Sequence, residues 1–100
     1  MTFRVEFTLS SAEQAEAAAI WWRTHRPDSS DLFQIELGQA IALLREFPPL
    51  TQVWLVLEGT EIRRVRLPRS NYAIYFSIHA SIVTVHAVWH GARGTPPEIP

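Results

Sequence analysis

Residues 61–90 read EIRRVRLPRSNYAIYFSIHASIVTVHAVWH, and this stretch decides the fold. Apolar and polar side chains alternate through Glu61–Leu67, Tyr72–His79 and Ile82–His90, as they do in strands with one buried face. Turn-forming residues at 68–71 and 80–81 separate the three segments. Because the connections are so short, the sequence predicts three neighbouring antiparallel strands.

Alternation also predicts which side chains share a face of this sheet. We expect the buried layer to contain Val65, Leu67, Tyr72, Ile74, Phe76, Ile78, Val83, Val85, Ala87 and Trp89. We expect the opposite, polar face to contain Arg64, Arg66, Tyr75, Ser77, His79, Thr84, His86 and His90.

The residues before this stretch predict one more strand and two helices. Residues 3–9 alternate in the same way, and a capping box with Ser10 as N-cap and Glu13 at N3 predicts a helix that ends near His25. The apolar stripe of a second helix comprises Phe33, Leu37, Ala40, Leu44 and Phe47. The predicted fold class is α+β, with a helical hairpin packed on one face of a small, mainly antiparallel sheet in the order β-α-α-β-β-β.

The composition indicates one small intracellular domain. With 100 residues, 47% of them hydrophobic, the chain can form one core, and we expect a single domain at 1–100 with 94–100 as a mobile tail. No apolar run approaches the roughly 20 residues of a membrane-spanning helix, and the first residues do not resemble a secretory signal. Cysteine is absent, which excludes disulfides and thiolate metal sites. We therefore expect a cytoplasmic protein without a membrane segment, a metal or another cofactor.

The net charge of −1 is unevenly distributed. Residues 1–60 carry four arginines and eight acids, a charge of −4, whereas residues 61–100 carry five arginines and two acids, a charge of +3. All nine cations are arginines, whose planar guanidinium groups suit carboxylates and phosphates, although genome-wide base composition could also produce this bias. The near-neutral total does not favour a protein whose main role is to bind nucleic acid.

The polar face of the predicted sheet is open to two interpretations. Histidine is the residue type that most often acts as general acid or base near neutral pH, so His86 and His90 are candidates for this role. No carboxylate lies close in sequence to orient either ring, and the pattern shows neither three converging histidines nor a phosphate loop. The alternative is a solvated face whose arginines and histidines keep the protein soluble.

Two apolar features point to protein contacts. Trp21 and Trp22 project about 100° apart on a helix, so that both cannot be buried, and Trp21 either anchors a partner or is a partly covered surface side chain. Val53–Leu57, which includes Trp54, is a run of five apolar residues. It is either an additional strand or a protein-docking edge, and the structure of 50–60 stays open at this point.

Two segments together resemble the C-terminal half of RelE/ParE superfamily toxins: Ile62–Phe76, IRRVRLPRSNYAIYF, and Ala87–Arg93, AVWHGAR. Proteins of this family typically have an arginine-rich strand, an aromatic strand and a last strand that ends in His-x-x-Arg. The β-α-α opening that closes with Phe47 and Pro48 is similar too. The resemblance covers nearly the whole chain, except 50–60 and the tail.

This resemblance implies the toxin of a type II toxin–antitoxin system, a class associated with plasmid stabilization, held in complex with a cognate antitoxin protein. ParE-like members poison DNA gyrase by binding it, whereas RelE-like members cut mRNA on the ribosome as endoribonucleases. The ParE-like branch, a gyrase inhibitor and not an enzyme, is favoured because this chain lacks lysine and is nearly neutral. A third interpretation is an inactive remnant that retains only antitoxin binding.

Each interpretation predicts its own site residues. For a ParE-like toxin, the expected target-binding residues are Arg63, Arg64, Arg66, Arg69, Tyr72 and Arg93. For a RelE-like nuclease, the expected catalytic residues are His86, His90, Arg64, Arg66 and Tyr75. Apolar exposure alone predicts antitoxin contacts at Trp21, Val53, Trp54 and Val56.

Overall fold

The computed structural model describes residues 2–99, in which two helices pack on one face of a five-stranded sheet. In chain order the elements are β1 Arg4–Phe7, α1 Leu9–His25, α2 Leu32–Glu46, β2 Gln52–Leu57, β3 Thr60–Leu67, β4 Tyr72–His79 and β5 Ile82–His90. Short 3-10 helices at Pro27–Ser29 and Pro48–Leu50 precede α2 and β2. The predicted α+β class is confirmed. Neither helix is long and apolar enough to cross a lipid bilayer.

The strands lie in the order β1-β5-β4-β3-β2. Strands β2 to β5 form an antiparallel meander, as their short connections predict, and β1 pairs in parallel with β5, with Val5 opposite Val83. The apolar run Val53–Leu57 lies in β2, at one edge of the sheet. The strand interpretation of this run is therefore correct. We call the face covered by the helices the helix face and the other the open face.

Helix α1 begins earlier than its capping pattern predicts. Thr8 is the N-cap, and its Oγ1 accepts a hydrogen bond from the backbone N–H of Ser11 at 3.1 Å, so the predicted cap at Ser10 is wrong. The backbone N–H of Thr8 and the hydroxyl of Ser11 both donate to the carbonyl oxygen of Val85, at 3.1 and 2.8 Å. The start of α1 is thus determined by contact with β5, which local sequence does not reveal.

The main core lies between the helices and the sheet. Its fully buried side chains are Phe33, Leu44, Ile74, Phe76, Val83 and Val85. Most of the predicted stripe of α2 faces this core, but Phe47 is 53% exposed. Phe47 follows the last helical residue with φ −132°, so its side chain no longer continues the helical stripe.

The carboxylate of Glu36 ties α2 to the turn between β3 and β4. This buried side chain accepts hydrogen bonds from the backbone N–H groups of Arg69, at 3.0 Å, and Ser70, at 2.7 Å. Burial by itself raises the pKa of Glu36, but the hydrogen bonds from Ser70 and Arg69 and the Arg69 charge outweigh burial. The pKa therefore lies below its ordinary value of 4.5.

Replacing Glu36 by alanine should lower the free energy of unfolding by about 2–3 kcal/mol, because one buried and one partly buried N–H group lose their acceptor. A pKa that is lower in the folded than in the unfolded protein stabilises the fold above pH 4.5, and this contribution disappears as the pH falls below that value. Urea unfolding at pH 7 and pH 3.5 measures both effects. For Glu36→Gln, the control that cannot ionise, the stability difference between the two pH values should be smaller than in the native chain, and an equal difference would contradict the assignment.

A β-bulge interrupts the pairing of β4 with β5. Phe76 lies opposite Val85, but the preceding residue Tyr75 lies opposite Ala87, so His86 is an extra residue without a partner. One extra residue shifts the alternation of all later side chains in the strand to the other face.

The bulge overturns part of the predicted face assignment. Val83, before the bulge, faces the helices as predicted, whereas Ala87 and Trp89, after it, contribute to a cluster on the open face. His90 moves the opposite way, to the helix face, where its ring packs edge-on against Tyr72 at a centroid distance of 4.8 Å. Strict alternation was the wrong rule for the second half of β5.

Candidate functional site

The open face carries a second apolar cluster at its centre, where a solvated polar surface was predicted. Its buried members are Ile62, Ala73, Tyr75 and Ala87, and Trp54, Leu55, Trp89 and Ile99 pack around them. The ring of Trp54 meets that of Tyr75 edge-on at a centroid distance of 4.7 Å. We call this group the open-face cluster. It makes the centre of the open face apolar and leaves the polar groups at its margins.

Three arginines line a cleft at one margin of the open-face cluster: Arg64, Arg66 and Arg93. Strand pairing places Arg64 opposite Tyr75 and Arg66 opposite Ala73. The guanidinium carbon of Arg93 lies 4.1 Å from the ring centroid of Trp89, a cation–π contact. We call the space lined by these three arginines and Trp89 the arginine cleft.

The arginine cleft is a concentration of uncompensated positive charge. Its lining contains neither aspartate nor glutamate. Within residues 2–99, none of its three guanidinium groups forms a salt bridge; the carboxylate-bound arginines are Arg4, with Glu6, and Arg63, with Glu61. Such a cleft is suited to a carboxylate or phosphate group.

Arg64 is the member of this cleft with the strongest requirement for a partner. Its side chain is half-buried, and its Nε is shielded from solvent without a hydrogen-bond acceptor among residues 2–99. A buried donor without an acceptor costs about 1–3 kcal/mol, and more when it is charged. An anion bound in the cleft would relieve this cost.

Arg63 and Arg69, predicted as members of one patch with these arginines, lie elsewhere. Arg63 is opposite Phe76 and therefore on the helix face, where its Nη1 donates to the carbonyl oxygens of Thr51 at 2.6 Å and Pro49 at 3.2 Å. This residue holds the chain segment that leads into β2. Arg69 is exposed in the turn after β3. The predicted patch of five arginines therefore reduces to three.

Tyr72, which was also predicted as a target-binding residue, does not line the arginine cleft. It lies on the helix face, and its ring packs edge-on against Phe33 at a centroid distance of 4.9 Å. Burial raises the pKa of its hydroxyl, an effect that the nearby positive charge of Arg93 reduces. The structure gives Tyr72 a packing role between α2 and the end of β5.

Four of the five predicted nuclease residues, Arg64, Arg66, Tyr75 and His90, line the arginine cleft. His86 lies outside the arginine cleft, and its Nε2 is 2.8 Å from the hydroxyl oxygen of Ser77. Burial lowers the pKa of His86, which keeps it neutral at pH 7. The ring of His90 is held on the helix face, and its Nδ1 accepts a hydrogen bond from the backbone N–H of Ala92 at 3.1 Å. His90 therefore borders the arginine cleft with its ring held by Tyr72 and Ala92, and His86 is held outside the cleft by Ser77.

No group of three histidine or acidic side chains within residues 2–99 is arranged to hold a metal ion. The glycine at position 91 has a structural role instead of a phosphate-binding one. Its backbone N–H donates to the carbonyl oxygen of Asn71 at 2.7 Å, and a Cβ atom at this position would lie 3.2 Å from that same oxygen. Gly91 thus allows the chain after β5 to approach the turn between β3 and β4.

Comparison with solved structures finds this architecture in a chain described as "Chromosomal ParDE TA system from P. aeruginosa". The two chains superpose with a TM-score of 0.72 and are 12% identical, over 89% of this chain and 96% of the other. The fold is ParE-like. No protein-family model and no curated protein matches this sequence. The fold expected from the resemblance is therefore confirmed, and the role of each residue has to be argued from its own surroundings.

On this ParE-like fold, the residues predicted to contact an antitoxin lie on separate surfaces. Val53 and Val56 are 37% and 61% exposed on the helix side of edge strand β2. Trp54 lies on the open face in the open-face cluster. Trp21, 42% exposed, stacks on His25 at a centroid distance of 4.7 Å and borders a groove beside β5, far across the sheet.

Proposed function

We propose that this chain is the toxin of a type II toxin–antitoxin system, that it acts in the cytoplasm by binding a macromolecular target such as DNA gyrase, and that a cognate antitoxin neutralises it. The ParE-like fold supports the toxin role, since a chain of a ParDE toxin–antitoxin system has the same architecture. The observation that carries the proposal is the arginine cleft, a carboxylate-free group of three guanidinium groups on the face that the helices leave uncovered.

Binding, and not RNA cleavage, is the activity that this geometry supports. A nuclease needs a proton-transfer group beside the residues that hold the phosphate. Here His86 lies outside the arginine cleft and pairs with Ser77, whereas the ring of His90, which borders the cleft, is held against Tyr72 and accepts a hydrogen bond from the backbone N–H of Ala92. Unpaired guanidinium groups next to aromatic side chains are instead typical of surfaces that bind proteins, in which arginine, tyrosine and tryptophan are enriched.

Expression of this chain in a bacterial host tests the proposal. We expect growth arrest that co-expression of the adjoining gene relieves, and purified toxin should inhibit gyrase supercoiling and accumulate cleaved DNA. Unaffected gyrase at a high excess of toxin would contradict the gyrase target. Codon-linked cuts in mRNA from induced cells would establish the RelE-like alternative, and normal growth would establish an inactive remnant.

The antitoxin is proposed to cover edge strand β2, whose backbone hydrogen-bonding groups and exposed Val53 and Val56 are a favourable template for another chain.

Val56→Asp should weaken antitoxin binding by about tenfold or more, because it places a charge in an apolar contact. Calorimetry with the product of the adjoining gene measures this change. Gln34→Asp on α2 is the matched control, since it adds the same charge at an exposed position outside β2. Equal affinities of the two variants would exclude Val56 from the contact.

A further inference from the structure

Residues 94–99, GTPPEI, lie against the open face after β5 ends, and we call them the strap. The indole Nε1 of Trp89 donates a hydrogen bond to the carbonyl oxygen of Thr95 at 2.8 Å. Pro97 is buried, and Ile99 packs against the open-face cluster. The predicted tail therefore has defined contacts within the described residues, while its mobility stays a prediction.

The strap also forms one wall of the arginine cleft. Gly94, Thr95 and Pro96 line the cleft together with Arg64 and Arg66. Trp89 connects the strap with the arginine cleft, because its indole N–H donates to the strap while its ring contacts the guanidinium group of Arg93. A movement of the strap would therefore change both the apolar surface and the opening of the cleft.

The attachment of the strap is weaker than that of any strand. It consists of one hydrogen bond at an exposed position and the packing of two side chains, Pro97 and Ile99, whereas β5 is paired on both sides. The proline at 96 and the one at 97 lack N–H donors, so the strap cannot add to the sheet as a strand. A segment with so few contacts opens locally without unfolding the sheet.

We infer that the strap is an intramolecular pseudo-ligand: in the free protein it occupies the place on the open face that an extended apolar segment of the target protein takes in the complex. The strap itself shows which chemistry fits, namely a segment with prolines and a β-branched side chain that packs against the open-face cluster. Among residues 2–99 no carboxylate forms a salt bridge with Arg64 or Arg66, so the target segment is expected to carry an acidic group as well. This inference deepens the proposed function and rests on it for the identity of the partner.

The accessibility of Arg64 tests the inference without any knowledge of the target. Phenylglyoxal modifies exposed arginines, and mass spectrometry gives the rate at each position. In a variant that ends at Gly94, and in the full-length Ile99→Asp variant, Arg64 should react about tenfold faster than in the native chain. Arg23 on α1 is the internal reference, and Glu98→Gln, an exposed change within the strap, is the control variant.

A rate for Arg64 within about twofold of the native rate in both variants would overturn the inference. If Ile99→Asp unfolds the chain, its far-UV circular dichroism is lost; Trp89→Phe, which keeps a ring but removes the donor to Thr95, then replaces it. Gyrase inhibition separates the two proposals. The chain that ends at Gly94 should inhibit at about a tenfold lower concentration, because the strap no longer competes; equal or weaker inhibition overturns the pseudo-ligand. If neither chain inhibits gyrase, the proposed function fails, and the Arg64 rate alone decides the role of the strap.

Discussion

The Arg64→Glu/Arg66→Glu variant is expected to lose growth inhibition, with at least about a 100-fold lower affinity for the target. Both guanidinium groups lie in the arginine cleft without a carboxylate partner among residues 2–99, so no salt bridge between described residues has to break before they bind a ligand. Carboxylates at both positions would repel an acidic target segment and remove the bidentate donors. Growth after induction and gyrase inhibition by the purified variant measure the loss.

The matched control reverses two arginines outside the cleft. Arg23→Glu/Arg45→Glu changes the net charge by the same amount at exposed helical positions. We expect this variant to inhibit growth like the native chain, because surface charges outside a contact influence mainly the rate of association. Equal loss in the two double variants would show that total charge, and not the cleft, determines binding. The Arg64→Lys/Arg66→Lys variant should inhibit growth to an intermediate extent, since lysine keeps the positive charge but lacks the planar, bidentate guanidinium group.

Phe76→Ala is expected to produce the largest loss of stability, about 3–5 kcal/mol in the free energy of unfolding. Phe76 is fully buried in β4, which has a paired strand on each side and the helices above it. Truncation removes a large apolar side chain and leaves a cavity that a paired strand cannot close. The loss is a large part of the 5–15 kcal/mol that typically stabilises a domain.

Urea or thermal unfolding followed by far-UV circular dichroism measures this effect. Ile35→Ala is the control, since Ile35 is 55% exposed on α2 and its truncation should change the stability by less than about 1 kcal/mol. Similar losses in Phe76→Ala and Ile35→Ala would contradict the assignment of the core. A chain that carries Phe76→Ala should also inhibit growth less, because a larger fraction of it is unfolded at 37 °C.

Much of this fold could be predicted because its main signals are local. The alternation in β3 and β4 correctly assigned Val65, Ile74 and Phe76 to the core, and the predicted end of the first helix near His25 is correct. The class, the number of helices and the meander follow from such signals, since side-chain period and short turns depend on neighbouring residues.

The candidate site was predicted less completely than the fold, because its composition depends on strand register and on a β-bulge. Arg64 and Arg66 were assigned to the correct face by alternation, but Arg63 was included because arginines were grouped by sequence and not by face. His90 was assigned to the wrong face, because the bulge at His86 has no signature in a strictly alternating pattern. The buried Glu36 was missed, because a glutamate in an amphipathic helix ordinarily faces solvent.

By itself, the order of apolar, polar and turn-forming residues determined two helices, a meander and a helix-covered face, since each of these depends on periodicity within a short segment. Only the tertiary structure decided which arginines share a cleft, which face the end of β5 presents, and where residues 94–99 lie. These features depend on the register between strands and on contacts between residues far apart in the chain, such as that of Glu36 with Ser70 and that of Ser11 with Val85. A one-residue bulge or a single buried carboxylate changes them without altering the local pattern from which the elements were predicted.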